Sequence, residues 1–199
     1  RAVLSDLGPA ATFISAGYNL PINTKALSSK AKEILQQVDS ELGWMYETNH
    51  TGGIVGRINY TVWSEVFSCP VCSGEIVFLK QALDAQTKQV RKQIACPHCG
   101  ASATKEQMEL VFEAVAHSQA GGGVVRRPKR LPILINYSVG KKDYEKEPDM
   151  QDLRVLDRVA KLPLPAEMPS SELPDCQMTR VGRMRTTNTV RVSDLFLAR

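Results

Sequence analysis

Long apolar runs are missing from this chain. No stretch approaches the ~18 residues that a membrane-spanning helix needs, and the first residues lack the apolar core of a signal peptide. We therefore expect a cytoplasmic protein without membrane contact. A phosphate-binding loop is missing too, because no Lys-Ser or Lys-Thr pair follows the glycine run at 121–123 at the required spacing. That run predicts a flexible joint instead, and the sequence contains no internal repeats.

A large charge of either sign is also lacking. The formal net charge is +4, of which residues 1–60 contribute zero, residues 61–120 contribute −1 and residues 121–199 contribute +5. Such an excess is explained equally well by lysines and arginines exposed to solvent and by a nucleic-acid-binding surface. The cations nevertheless cluster in two segments of the last third, whose candidate phosphate contacts are Arg126, Arg127, Lys129, Arg130, Arg183 and Arg185.

The sequence does contain two Cys-x-x-Cys pairs, Cys69 with Cys72 and Cys96 with Cys99, separated by 23 residues. Two thiolates on a tight turn hold a metal ion from one side, and a second pair completes the sulfur tetrahedron that structural Zn²⁺ prefers. A Pro follows the first Cys of each pair and small residues follow the second, which favours tight turns. The pattern predicts a zinc ribbon whose metal has no position left for a reacting water.

Four cysteines can serve chemistries other than zinc binding. Two redox pairs would be unusual in one short chain, and disulfides would need an oxidising compartment, whereas this set suits a reducing one. An iron–sulfur centre also accepts four cysteines and stays open as an alternative. His98 lies inside the second pair, but four thiolates already fill a tetrahedral site, so we expect this histidine to be exposed or beside the ligands.

The spacing of apolar residues predicts the elements around the ribbon. Residues 24–42 and 148–161 have the period of amphipathic helices, and the same period predicts a helix over 105–117. Residues 57–67, 75–80, 90–95 and 132–139 are typical of strands. Prolines predict an extended linker over 163–176, and a last helix is expected to begin near residue 192. The predicted fold class is α+β.

Asp6 ends a short apolar run just before Pro9, which can open a helix. We expect residues 1–7 to be the end of a buried strand. At the carboxyl end of a parallel strand, a carboxylate can accept hydrogen bonds from both ribose hydroxyls of an adenosine cofactor. A helix cap is the alternative role for Asp6. Because the chain begins without Met and inside an expected strand, we expect a piece of a longer protein.

Several segments are more particular than a Cys-x-x-Cys pair. They are Ser5-Asp6-Leu7-Gly8-Pro9-Ala10-Ala11-Thr12-Phe13-Ile14, Gly43-Trp44-Met45-Tyr46-Glu47-Thr48, Ile58-Asn59-Tyr60-Thr61-Val62-Trp63-Ser64-Glu65-Val66-Phe67, Ile135-Asn136-Tyr137 with Gly140-Lys141-Lys142, and Asp194-Leu195-Phe196 with Arg199. Together they span nearly the whole chain. In these segments the chain resembles the large site-specific DNA methyltransferases that modify the N6 amino group of adenine or the N4 amino group of cytosine and carry a zinc-ribbon insertion.

The resemblance implies an enzyme that uses S-adenosylmethionine, in which Asp6 matches the acidic residue that binds the adenosine ribose. Gly8 stands where the family usually has Ser. The implied organisation is a Rossmann-like methyltransferase segment in residues 1–56, an inserted zinc ribbon in 57–120 and a basic extension in 121–199 that returns to the methyltransferase domain. DNA is the implied partner, and a restriction-system partner is expected as well.

The family's catalytic groups do not occur in these 199 residues. There is neither a glycine-rich cofactor loop nor the Asp/Asn-Pro-Pro-aromatic motif that holds the flipped base. We therefore expect no catalytic residue here and no methylation of DNA by this chain alone. Its expected role is to contact DNA or to help set target choice. The alternative from another class is a stand-alone zinc-ribbon module that binds nucleic acid or protein without catalysis.

Overall fold

The computed structural model describes residues 3, 5–84, 87, 89–117, 123–163, 171–182, 184, 189 and 191–192. The chain forms two compact units, residues 1–44 and residues 45–199. In chain order the elements are α1 (Pro9–Asn19), α2 (Thr24–Leu42), β1 (Glu47–Asn49), β2 (Val55–Ser68), β3 (Glu75–Val77), α3 (Phe78–Ala82), β4 (Gln93–Ala95), β5 (Ser102–Thr104), β6 (Glu109–Leu110), β7 (Phe112–His117), β8 (Gly123–Pro128), β9 (Arg130–Val139), β10 (Lys142–Lys146), α4 (Met150–Ala160) and α5 (Gln177–Arg180).

The mixture of helices with antiparallel strands confirms the α+β class. Among the helices of the described ranges, none combines the length and the apolar content that crossing a bilayer requires. The three-part functional division at residues 56 and 120 stays a prediction.

The first unit consists of two helices with exposed apolar side chains. Pro9 occupies the first turn of α1, where a missing N–H costs nothing. Asn23 caps α2, since its side chain accepts a hydrogen bond from the backbone N–H of Ala26. The bounds of α2 are those that the apolar period predicts, yet no residue of this helix is buried.

The strand expected over residues 1–7 is wrong as far as this segment is described. Residue 3 and residues 5–8 lie in irregular backbone, and the side chains of Val3 and Leu7 are fully exposed. A strand needs a neighbour for its backbone hydrogen bonds, and these residues pair with none of the strands described here.

The second unit is built on β2, a strand of 14 residues that contributes to two regions. Its first part lies between β1 and β9, and β10 continues this sheet on the far side of β9. Its last residues pair with β3 and β6. All of these pairings are antiparallel, so a single long strand connects the sheet to the cysteine-rich region.

The cysteine-rich region has its own apolar core. Only the first three residues of the predicted strand 75–80 are extended, because α3 begins at Phe78. β4 pairs with β5 as a second short hairpin. The buried core residues are Phe67, Cys69, Ile76, Phe78, Ala82, Ile94, Cys96, Ala103 and Met108.

The helix predicted over 105–117 is wrong. A short 3₁₀ turn spans Lys105–Gln107, followed by β6 and β7. β7 pairs with β8 over six residues as a separate two-stranded sheet. The glycines at 121 and 122, the linker residues 164–170 and the expected helix from residue 193 onward lie outside the described residues.

Helix α4 confirms the helix predicted near residues 148–161. Asp149 caps it by accepting hydrogen bonds from the backbone N–H groups of Gln151 and Asp152. The first turn packs near β1, where the hydroxyl of Thr48 donates a hydrogen bond of 2.5 Å to the buried carboxylate of Asp152. This contact attaches the helix to the edge of the sheet.

Candidate metal centre

The two Cys-x-x-Cys pairs occupy equivalent turns of two hairpins. The first pair joins β2 to β3, and the second joins β4 to β5. The backbone N–H of Cys69 donates to the carbonyl of Gly74 at 2.9 Å, and Cys96 donates to the carbonyl of Ala101 at 2.8 Å. Because both turns contain the same hydrogen bond, they have the same local structure. The cysteines of both turns face a shared centre.

The residue after each second cysteine has a left-handed backbone. Ser73 has φ of 58° and Gly100 has φ of 74°. Their N–H groups donate to the carbonyls of Cys69 and Cys96, each at 2.9 Å, and these bonds close the turns. Glycine adopts this conformation without steric cost, whereas an L-residue such as serine is strained there.

The four sulfur atoms surround a common centre. Their positions all lie within 4.8 Å of one another. The sulfur of Cys69 is 3.8 Å from that of Cys99, and the sulfur of Cys72 is 3.7 Å from that of Cys96. A regular tetrahedron with Zn–S bonds of about 2.3 Å has edges of about 3.8 Å. The cysteines therefore form a site that can hold a metal ion, and its dimensions fit four-coordinate zinc.

Other uses of the thiols fit this arrangement less well. All five cysteines are free thiols, and the sulfur separations are far longer than the ~2.05 Å of a disulfide. A polynuclear iron–sulfur cluster places bridging atoms between its ligands, which requires a wider sulfur tetrahedron. A single tetrahedral iron ion shares the geometry of zinc, and the donor set accepts both metals.

Backbone donors lie close to both buried sulfurs and favour ionisation of Cys69. The N–H of Val71 lies 3.5 Å from the sulfur of Cys69, and the N–H of His98 lies 3.4 Å from that of Cys96. Backbone hydrogen bonds from Cys72 and Val71 lower the pKa of Cys69 to about 6. A thiolate is the form that binds metal, so these donors favour the ligand state.

The last thiol of the cluster resists ionisation without a cation. The backbone N–H of Ala101 lowers the pKa of Cys99, but desolvation and the neighbouring cysteine side chains raise it to about 12. Four thiolates this close repel one another, and a divalent ion offsets that repulsion. The cluster as a whole therefore favours a bound cation.

Burial differs between the two members of each pair. Cys69 and Cys96 belong to the apolar core, whereas Cys72 and Cys99 are exposed. His98 is exposed, and its Nε2 lies 2.9 Å from the carbonyl oxygen of Glu75. Its ring also packs over Gly74, where an added Cβ would lie 2.6 Å from Cδ2 of the histidine. His98 thus links the second turn to the first.

Asp6 lies in the first unit and is exposed. One carboxylate oxygen accepts a hydrogen bond of 2.7 Å from the backbone N–H of Gly8, just ahead of α1. This contact is local and of the kind that precedes a helix. The role of Asp6 in binding a ribose stays a prediction.

The described basic candidates all have contacts within the protein. Arg127 Nε lies 2.9 Å from Glu113, Lys129 Nζ lies 2.6 Å from Glu75, and Arg130 lies 3.7 Å from Glu65. The guanidinium of Arg126 lies over the ring of Phe112, 5.1 Å from its centroid. Arg183 and Arg185 lie outside the described residues. Whether any of these cations contacts DNA stays a prediction.

Sequence reasoning missed a polar cluster beside α4. Lys146 Nζ lies 2.9 Å from the buried Asp152 and 2.7 Å from Asp149. Burial lowers the pKa of Lys146, but the hydrogen bonds to both carboxylates outweigh it and raise the pKa above its ordinary value. The Asp149-x-x-Asp152 spacing was the available signal, because it allows reciprocal capping of a helix start. Thr48 on β1, which donates to Asp152, is distant in sequence and cannot be inferred from this spacing.

The chain matches no family model, no curated protein and no solved structure.

Proposed function

We propose that this chain is a zinc-stabilised part of an S-adenosylmethionine-dependent DNA methyltransferase, with the ribbon held together by one structural Zn²⁺. The observation that carries the metal assignment is the agreement of the sulfur separations, 3.7 and 3.8 Å, with the edge of a tetrahedral zinc site. Cys69, Cys72, Cys96 and Cys99 would be the ligands.

The metal in this proposal does not catalyse. Four protein ligands fill a tetrahedral zinc ion, so no position remains for water or substrate. Two ligands come from the β2–β3 turn and two from the β4–β5 turn, so the ion would join two separate hairpins. Zinc would therefore add to the stability that the small apolar core of this region supplies.

The methyltransferase assignment rests on the resemblance of the quoted segments. Asp6 would hold the adenosine ribose, and S-adenosylmethionine would supply the methyl group for adenine N6 or cytosine N4. The base-binding motif and the glycine-rich loop would come from outside these 199 residues. The exposed apolar side chains of α2 favour this placement, because a 19-residue amphipathic helix with no buried residue is suited to packing against further protein.

A direct test measures S-adenosylmethionine binding to the full-length protein by calorimetry. Asp6→Asn keeps the shape of the side chain but loses the charge, and it should weaken binding by about tenfold or more. Asp157→Asn is the matched control, because Asp157 forms only an exposed pair with Lys161 on α4. Absent cofactor binding, or equal affinities for the two variants, would contradict the assignment.

The second candidate is a stand-alone zinc-ribbon binding module. The apolar core around the cysteines favours it, since all of its buried members lie between residues 67 and 108. The two candidates differ in S-adenosylmethionine binding and agree on one zinc per chain. A protein that holds zinc but has no affinity for the cofactor would favour the module.

A further inference from the structure

The two metal-binding turns share a backbone structure but differ at two side chains. Val71 lies between the cysteines of the first turn, and His98 lies at the same place in the second. Gly74 and Ala101 also correspond, because the carbonyl of each accepts a hydrogen bond from the first cysteine of its turn. These two pairs of residues therefore show what distinguishes one turn from the other.

The side chain of His98 reaches across to the first turn. Its Nε2 lies 2.9 Å from the backbone carbonyl oxygen of Glu75, the first residue of β3. A carbonyl oxygen only accepts hydrogen bonds, so the neutral imidazole must carry its proton on Nε2. Val71, at the same place in the first turn, is instead 71% exposed. The hydrogen bond of His98 thus joins the β4–β5 hairpin to the β2–β3 hairpin without a metal ion.

Gly74 has no side chain at the point where the imidazole crosses. An added Cβ at Gly74 would lie 2.6 Å from Cδ2 of His98 and 2.9 Å from its Cγ, which is too close for two carbon atoms. The backbone does not itself require glycine there, because the φ of Gly74 is not positive. Ala101, at the equivalent place in the second turn, carries a methyl group. The ring of His98 therefore accounts for the glycine at position 74.

We propose that His98 is a positioning residue that holds the second metal-binding turn against the first and thereby slows the release of the bound metal ion. This inference rests on the metal centre proposed above and names a residue that regulates it. Each turn supplies two of the four thiolates, so separation of the turns would remove half of the ligands. The backbone N–H of His98 also lies 3.4 Å from the sulfur of Cys96, so the fixed ring orients a residue that contacts a ligand. Groups that orient metal ligands typically change metal affinity by about 10–100-fold.

The test times the transfer of zinc from the zinc-loaded 199-residue chain to an excess of a chromophoric chelator. His98→Ala should release zinc about tenfold faster than the wild type. His98→Gln keeps an N–H donor and should restore most of the retention, whereas His98→Phe keeps a ring without a donor and should not. Val71→Ala is the matched control, because it changes the exposed side chain at the equivalent place and should leave the rate unchanged.

Gly74→Ala tests the space that the imidazole needs. The added methyl group would displace the ring of His98, so this variant should also release zinc faster than the wild type. In the His98→Ala background the methyl group no longer has a ring to displace, and the same change should have a much smaller effect. The new Cβ would also lie 3.3 Å from the sulfur of Cys72. Equal effects in the two backgrounds would mean that the methyl group acts through this sulfur, and they would contradict the proposed role of His98.

The protonated nitrogen of His98 gives a second readout that needs no variant. Long-range ¹H–¹⁵N correlation spectra of the zinc-loaded wild type at mildly alkaline pH should show the proton on Nε2 and none on Nδ1. A general role in packing would not select one tautomer. A neutral imidazole with its proton on Nδ1 would overturn the hydrogen bond to Glu75 and the proposal with it.

The remaining outcomes separate the role of His98 from the metal centre on which it depends. Equal rates of zinc transfer from the wild type and His98→Ala would overturn the proposal and leave the metal centre intact. A wild-type chain that binds no metal would overturn both. If His98→Ala retains too little zinc to be timed, recovery of zinc binding in His98→Gln supports the proposal, and failure of both variants overturns the role of the hydrogen bond.

Discussion

At the scale of single residues, the two metal-binding turns offer an internal comparison. Ser73 and Gly100 occupy equivalent positions with φ of 58° and 74°, where glycine is free of strain and serine is not. An added Cβ at Gly100 would have no heavy atom within 4 Å, so a substitution there changes backbone energy without a clash. Substitutions at Ser73 and Gly100 therefore measure the energy of backbone strain separately from that of side-chain packing.

We predict that Gly100→Ser lowers the free energy of unfolding by about 1 kcal/mol, whereas Ser73→Gly leaves it unchanged or raises it by up to about 1 kcal/mol. Urea denaturation of the zinc-loaded protein measures both changes. Gly17→Ser is the control, since Gly17 is exposed within α1 and serine is tolerated in a helix at least as well as glycine. Equal losses from Gly100→Ser and Ser73→Gly would contradict the role of backbone strain.

Asp152 is the buried acidic residue among the described residues of the second unit. We predict that Asp152→Asn costs about 2 kcal/mol of unfolding free energy, because a charged hydrogen bond in a largely buried position is weakened while Lys146 keeps its pair with Asp149. Thermal and urea denaturation measure the loss. Asp157→Asn on the exposed face of α4 should cost less than about 0.5 kcal/mol. Similar losses for both variants would rule out a special contribution from the buried cluster.

The sequence predicted which side chains come together only where their spacing along the chain fixes their relative positions. The cysteine pairs are such a case, since two Cys-x-x-Cys turns constrain their sulfurs directly. Asp152 is the opposite case. Its contacts with Thr48 and Lys146 depend on how β1, β10 and α4 pack together, and its local sequence suggests only a helix start.

At the scale of elements, the N-terminus of α4 depends on one capping carboxylate. The hydrogen bond from Lys146 lowers the pKa of Asp149, burial opposes that shift, and the N–H groups of Asp152 and Gln151 lower it further. A carboxyl group whose pKa is lower in the folded state stabilises the fold above its unfolded pKa of about 3.9. That contribution is lost as the pH falls through the lowered value.

We therefore predict that Asp149→Ala costs about 1 kcal/mol at pH 7, and that the difference from the wild type shrinks once the pH falls below about 4. Asp149→Ser keeps an uncharged cap, so it should retain most of the stability at pH 7. Urea denaturation at several pH values measures these differences. A cost of Asp149→Ala that stays constant down to pH 2 would exclude the charged cap as its source.

Elements with a long, uninterrupted period were predicted well. In α2 the apolar residues recur with the helical period over about five turns. The observed bounds of this helix equal the predicted ones. The predicted strand 57–67 lies within β2. The helix prediction for residues 105–117 was wrong because their apolar residues also suit short strands. The pairing of β6 with β2 and of β7 with β8 overrides the local helical spacing.

At the scale of the whole molecule, the sequence predicts the α+β class but not which strands are neighbours. The pairing of β2 with β9 joins residues that are 65 to 81 positions apart, and no local pattern specifies it. The path of β2 from this sheet into the cysteine-rich region makes the metal centre part of the second unit. Loss of the metal should therefore loosen β3–β5 first and leave the β2–β9 pairing in place.

The central claim is a structural zinc ion bound by four thiolates, and the metal content of the purified chain tests it most directly. Native mass spectrometry, with inductively coupled plasma analysis to identify the element, should find one zinc per chain. Cys72→Ser and Cys99→Ser should each weaken its retention against a chelator, whereas Cys176→Ser should not, because Cys176 lies outside the cluster. Iron in place of zinc, or a chain that folds identically and binds no metal, would contradict the account.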